Sequence, residues 1–282
     1  MKITETHMIG GHLSTSVGIE NTPLTAKKFG FRAYQVFSKN QMQWKAKDIP
    51  ADVPGKFENN RRDNSIASVM VHASYLLNTA SSDNELRDKV REGFRMEIER
   101  CDILKAELLT FHPGSFKEAT LKIGIENVTS MLNDVMSAKQ KVNVLIENSA
   151  GQGNSVGKTF GDIAEIIDGV QYKDKIGVCL DTCHAWASGY DFTNEKGYEA
   201  MMDEIRNTIG IGKIMGFHLN DSKKGLGEHA DRHEQIGLGK IGAEGFSLLI
   251  NDPAFYHLPM IMETPLGEDG YMDDLAALEK IL

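Results

Sequence analysis

No stretch of this 282-residue chain approaches about 18 consecutive apolar residues, so no membrane-spanning helix is expected. Cysteine is scarce as well. Cys101, Cys179 and Cys183 are an odd number in a long chain, which argues against a disulfide framework and for a reducing compartment. The amino terminus, MKITETHMIGGH, lacks a basic segment followed by an apolar stretch, so it does not read as a signal peptide. No Pro, Gly or Ser-rich linker divides the sequence, and one domain over residues 1–282 is expected. The expected protein is soluble, cytoplasmic and monomeric, with no membrane partner. Positive charge is also short: the net charge is −9, which normally counts against nucleic acid as a partner. That exclusion is weak if divalent cations are bound, because three of them would bring −9 to −3 and concentrate positive potential at the site.

What the chain does have is a repeated pattern. Six times a short apolar run ends in a histidine or carboxylate: VMVHAS at His72, LLTFHPG at His112, VLIENS at Glu147, VCLDTCH at Asp181, MGFHLND at His218 and MIMETP at Glu263. The steps between them are 40, 35, 34, 37 and 45 positions, close to the roughly 35 residues of one strand-plus-helix unit in an eight-fold barrel. Runs near residues 8–13, 33–37, 69–72, 108–112, 142–147, 176–181, 214–219 and 259–263 have the continuous apolar character of strands buried on both faces. Helical periodicity lies between them, as in Glu85–Leu104, Ile125–Ala138, Phe160–Ile167, Tyr198–Ile209 and Ala243–Ile250. The alternation predicts an α/β fold, a single parallel (β/α)8 TIM barrel, with 41% hydrophobic residues to fill its core. Long connections at 185–197 and 220–242 are expected on the functional, carboxyl-terminal face of the strands.

Imidazole and carboxylate together suit zinc, and ligands from several strands converge only at the barrel mouth. Two local pairs, Asp181 with His184 and Asp231 with His233, extend the set to nine candidates: five histidines and four carboxylates. Nine exceeds one tetrahedral ion and suits two or three ions sharing carboxylate bridges, a device of phosphoryl-ester hydrolysis. Each residue alone has an ordinary explanation as a hydrogen-bonded strand end or a helix cap. Six strand ends together do not, since four carboxylates in one mouth repel one another without cations. His12 ends the first run and is expected behind the ligands; His7, His229 and His257 read as surface or loop residues.

The strings HPG (112–114), ENSAGQG (147–153), GVCLDTCHAWASGYD (177–191), HLNDSK (218–223) and DRHEQIGLGKIG (231–242) resemble the endonuclease IV family of apurinic/apyrimidinic endonucleases, with similarity from about His7 to Glu263. The resemblance implies a barrel with three zinc ions that cuts duplex DNA 5′ to abasic sites, leaving a 3′ hydroxyl and a 5′ deoxyribose phosphate. A 3′-end-cleaning phosphodiesterase activity is implied with it. In the family's pattern His72, His112 and Glu147 would hold the first zinc. Glu147 would bridge to a second, completed by Asp181, His218 and Glu263, and His184, Asp231 and His233 would hold the third. Glu147 and Glu263 are then the catalytic carboxylates; manganese or iron could replace zinc at such ligands. The family also uses the loop SKNQMQWKAK (38–47), here with Lys39, Asn40, Met42, Gln43 and Trp44, and the loop of Tyr75 and Leu76 to wedge the duplex. Position 42 departs from the family's arginine: methionine supplies an apolar wedge without a charged contact.

Two glycine motifs fail in context. GLGKIG (237–242) follows a polar segment instead of a strand, and GQGNSVGKT (151–159) has Gln152 where a P-loop needs its first glycine. Thiolate ligation by Cys179 or Cys183 is not expected. The nearest rival, a metal-dependent sugar isomerase or epimerase on the same barrel, would need fewer ligands. A non-catalytic zinc or DNA-damage binder would have no use for the full set.

Overall fold

The computed structural model describes residues 2–282. Eight parallel strands form the barrel: β1 (Met8–Gly11), β2 (Ala33–Phe37), β3 (Ser68–His72), β4 (Leu108–Phe111), β5 (Asn143–Glu147), β6 (Ile176–Asp181), β7 (Ile214–His218) and, after a small hairpin of β8 (Asp221–Ser222) and β9 (His233–Glu234), β10 (Pro259–Met262). Their order, β1-β10-β7-β6-β5-β4-β3-β2, brings the first and second strands back together. They meet through a parallel bridge between His12 and Gln35, with the Leu13 amide donating to the Gln35 carbonyl at 2.8 Å. Closure there demands glycine, because a Cβ on Gly10 would stand 1.9 Å from the Ala33 carbonyl oxygen.

A strand turns alternate side chains to opposite faces, and this sorts the apolar runs into two cores. Ala33, Met70, Leu108, Leu145, Cys179 and Ile261 form a plug inside the barrel. The larger cluster, which includes Val36, Val71, Leu109, Ile146 and Val178, packs the outer faces of the strands against the helices. That is why the runs read as continuous rather than alternating.

Helices start where the sequence supplies a cap. Asp83, Thr120, Thr159 and Asn194 accept hydrogen bonds from the amides of Leu86, Ile123, Asp162 and Gly197, opening helices Asn84–Leu104, Leu121–Val135, Phe160–Gly169 and Glu195–Asn207. The cap at Thr120 explains why the helix between β4 and β5 starts four residues before the expected Ile125. The segment Ala243–Ile250 divides into a 3-10 turn, Ala243–Phe246, and one α turn, Ser247–Ile250. Helix Thr182–Ser188, capped by Asp181, occupies the start of what the sequence suggested as a long loop. No helix among the described residues is long and apolar enough to cross a membrane.

One expectation is corrected. His7 is a core residue, only 3% exposed, because Thr6 Oγ1 and the Ile250 carbonyl occupy its two ring nitrogens, each at 2.8 Å. His229 and His257 are exposed, as expected.

Candidate active site

The same two-residue period that builds the inner plug carries the polar groups to the rim above it. His72 follows Met70, Glu147 follows Leu145, Asp181 follows Cys179 and Glu263 follows Ile261, each one pleat higher on the inward face; His112 lies two pleats beyond Leu108. His218 stands above Gly216, where a Cβ would come within 2.7 Å of the Met70 methyl. The remaining three lie beyond the barrel strands. Asp181 caps helix Thr182–Ser188 by accepting the His184 amide at 2.7 Å, which seats His184 beside it, and the β8/β9 hairpin delivers Asp231 and His233.

All nine predicted residues converge into three sets, His72–His112–Glu147, Glu147–Asp181–His218–Glu263 and His184–Asp231–His233, in each of which the ligand atoms lie within 4.8 Å of one another. Glu147 is shared between two of them. Its Oε2 lies 3.4 Å from His72 Nε2 and 3.2 Å from His112 Nε2, while its Oε1 lies 3.0 Å from His218 Nδ1 and 3.4 Å from His184 Nδ1. His218 Nδ1 is also 3.3 Å from Glu263 Oε2. Asp231 spans the third set, with its oxygens 3.3 Å from His184 Nε2 and 3.2 Å from His233 Nε2.

The donor chemistry fits metal ions. Backbone carbonyls only accept, so a ring nitrogen facing one carries the proton and leaves its partner nitrogen bare. His72 Nδ1 faces the Ala73 carbonyl at 2.7 Å, His184 Nδ1 that of Asn148 at 2.9 Å, and His233 Nδ1 that of Glu263 at 3.1 Å. The opposite nitrogens of these three rings, together with Glu147 Oε2, are buried without any hydrogen-bond partner. Buried polar atoms are rarely left so, and a cation is the partner that would satisfy all four.

Four residues that the sequence pattern did not mark complete the arrangement. Gln35, fully buried, accepts from His218 Nε2 at 2.9 Å and donates to Glu263 Oε1 at 2.5 Å, with His12 Nδ1 2.9 Å from the same amide nitrogen. His12 thus stands behind Glu263, 3.4 Å from it. Asn220 donates to Asp181 Oδ2 at 2.7 Å and accepts the Glu263 amide at 2.8 Å; Asn148 accepts the Asp181 amide at 2.7 Å. The fourth, Asp221, holds the hairpin from below. A single glutamine inside the apolar run AYQVF was the one local signal available for Gln35. Cys183 lies near Asp181 and His233, but burial and the Asp181 carboxylate push its thiol up to about 12, leaving it neutral.

A chain from Thermoplasma volcanium called a probable endonuclease 4 is 46% identical over 280 residues, spanning 99% of this sequence and 97% of its own. This chain belongs to the endonuclease IV family. The family model that matches residues 24–281 describes a xylose isomerase-like TIM barrel. The crystal structure of endonuclease IV from Thermus thermophilus superposes with a TM-score of 0.85 at 29% identity, over 97% of this chain and 98% of that one. A D-tagatose 3-epimerase-like protein, 19% identical with a TM-score of 0.72 over 100% of this chain and 97% of that one, shares the fold. As an endonuclease IV family member the protein is an enzyme, a hydrolase of the endonuclease class.

The two loops singled out in the sequence flank the endonuclease IV centre and are tied together by the Ser74 hydroxyl, which donates to the Gln41 carbonyl at 2.5 Å. Met42 is 66% and Tyr75 57% exposed; Asn40 and Gln43 are exposed and Leu76 half-buried. Tyr75 packs its ring 5.2 Å from that of His72 and 5.9 Å from that of His112, and clefts of about 300 and 320 Å3 open on either side of it. Two members of the set point inward. Lys39 Nζ donates to the Gln43 carbonyl at 2.7 Å and lies 3.5 Å from the buried Glu97, and Trp44 is half-buried against the helix-facing core. They brace the loop, and its exposed positive charge falls to Lys45 and Lys47.

Stripped of metal, the centre balances its own charges. Burial disfavours the imidazolium of His233, but Asp231 and Asp181 outweigh it and lift the ring to about 9; at Asp231 burial raises the carboxyl, and His184 and His233 pull it well below the usual range. For the histidine this stabilisation is complete below its ordinary 6.5 and is lost as pH rises through about 9. For the aspartate it is complete above the ordinary 3.8 and is lost under stronger acid. The melting temperature of the chelated protein is therefore expected to be highest near about pH 5–6 and to decline toward about pH 9.5. His233→Gln should flatten that alkaline decline, and an unchanged slope in the variant would refute the assignment.

Proposed function

We propose that the chain is a zinc-dependent DNA-repair endonuclease that hydrolyses the phosphodiester bond 5′ to abasic sites in duplex DNA, with 3′-end-cleaning phosphodiesterase activity at the same centre. The observation that carries this reading is the set of bare, buried imidazole nitrogens trained on shared carboxylates. His72, His112 and Glu147 would hold one ion, Glu147, Asp181, His218 and Glu263 a second, and His184, Asp231 and His233 a third. When bound, such ions acidify water and neutralise charge developing on an attacked phosphate and its leaving oxygen. Zinc suits the imidazole-rich donor set, and manganese or iron could occupy the same ligands.

The chain's own residues do the rest. Glu147 presents one oxygen to each of two sets and so fixes their separation. Glu263 has Oε1 engaged by Gln35, which turns Oε2 toward His218 and the cluster, where it would orient an attacking water or receive its proton. The Tyr75 phenol, pushed upward by partial desolvation where its ring packs on His72 and by Glu263, stays protonated and can donate to a phosphate. Its ring and Met42 offer an aromatic and an apolar surface of the kind that fills the gap left by a missing base. We place the enzyme in the cytoplasm as a monomer acting on double-stranded DNA with abasic or 3′-blocked lesions. A sugar isomerase on this barrel would leave His72, His112, His184, Asp231 and His233 without a task.

The test is incubation of the zinc-loaded protein with a duplex carrying one synthetic abasic site. A single nick on its 5′ side is expected, with about three zinc ions per chain by elemental analysis. An intact duplex would overturn the reading, and about one ion per chain would favour the isomerase.

A further inference from the structure

The loop Gly237–Gly242, GLGKIG, has the spacing of a phosphate-cradling glycine loop, yet what it wraps is a carboxylate of the chain itself. Asp221, fully buried in β8, accepts the backbone amides of Ser222 at 2.7 Å, Gly237 at 2.9 Å, Gly239 at 3.0 Å, Ile241 at 3.0 Å and Gly242 at 3.2 Å. Glycine is needed for this approach: a Cβ at Gly239 would stand 2.3 Å from Asp221 Oδ1, and Gly237 and Gly242 adopt φ values of 84° and 73°. Backbone amides converging on a buried anion make a strong, charge-assisted set of hydrogen bonds.

The consequence lies across the hairpin. Asp221 pairs with Glu234 and Ser222 with His233, and these two pairs are the whole of the β8/β9 ladder. So short a ladder is marginal by itself and needs an external restraint to hold its register. Asp221 supplies one, drawing the returning loop over β8. Asp274, from the terminal helix, supplies another, accepting the Ile236 amide at 2.8 Å and the Gln235 side chain at 3.0 Å. Between the two restraints His233 is presented with Nδ1 on the Glu263 carbonyl and Nε2 toward Asp231.

We propose that Asp221, caged by the glycine loop, is a positioning residue for the third metal set, fixing His233 and Asp231 against His184 while leaving the other two sets independent of it. This rests on the reading that these three residues hold an ion. It makes a selective prediction, since the Asp221 carboxylate bonds only Ser222 and the glycine loop and no residue of the first two sets.

Asp221→Asn keeps the volume but turns N–H hydrogens toward backbone donors, and Gly239→Ala crowds the cage from the opposite side. In each variant, zinc titration against a chromophoric chelator should show one ion bound roughly 10–100-fold more weakly and two at wild-type affinity. Excess zinc should restore incision of abasic duplex. Three ions at wild-type affinity in both variants would overturn the proposal alone. Equal weakening of all three, with a lower melting temperature of the chelated protein, would also overturn it, as a role general to the fold. A wild-type protein that never takes up a third ion would remove the reading beneath it, and the proposal with it.

Discussion

Glu147→Ala is expected to lower the rate of abasic-duplex incision by roughly a thousandfold or more, equivalent to about 4 kcal/mol of transition-state stabilisation. The magnitude follows from where this carboxylate sits. It is 1% exposed and touches four imidazoles, those of His72, His112, His184 and His218, at 3.0–3.4 Å. Burial pushes its carboxyl up, but His112 and His218 hold it well below the ordinary range, so it is an anion whose charge the centre depends on. Removing it strips an oxygen from two metal sets at once and leaves several imidazoles facing a void. Elemental analysis should find the first two sites weakened and the third, built on Asp231, retained. Glu147→Gln, which keeps the shape, should lose nearly as much and thereby separate charge from volume. Near wild-type incision by either variant would refute the central role.

Glu263→Gln should reduce turnover by roughly a hundred to ten thousandfold, the range of a lost general base. Here metal binding and proton handling can be separated. Glu263 contributes one oxygen to a set that retains Glu147, Asp181 and His218, and its side chain remains 12% exposed at the mouth. At saturating zinc the variant is expected to keep its metals while losing rate across the whole working pH range. Burial raises the Glu263 carboxyl, but His218 and His12 draw it well below its ordinary 4.5, so the wild-type base stays available into mild acid. If excess zinc restored full turnover to the variant, Glu263 would be a ligand and nothing more.

Six of the nine candidate ligands were legible in the sequence because strand chemistry is local. A run such as VLIENS states both that a strand is buried and that its inward face ends in a carboxylate, and the spacing of six such runs states how many units lie between. His184 was legible for the same reason, three residues beyond the carboxylate that caps its helix. Helices Thr22–Phe29, Val53–Asp63 and Tyr271–Glu279 were not, since Pro and Gly near their ends and weak periodicity obscured them. The loop at 38–47 stood out by composition, but the inward turn of Lys39 and Trp44 depends on Glu97 and Gly93 of another helix.

By itself, then, the sequence determined the barrel, the family and which residues reach the rim, because a two-residue strand period and a roughly 35-residue unit are written in short windows of chain. Only the tertiary structure decided which ring nitrogen each histidine leaves bare, how Glu147 divides its two oxygens, and that Gln35, Asn220 and Asp221 hold the set there. Those outcomes turn on contacts such as Gln35 with Glu263, 228 positions apart. Hydrogen bonds of that range follow from the closure of the barrel, which no local pattern of residues encodes.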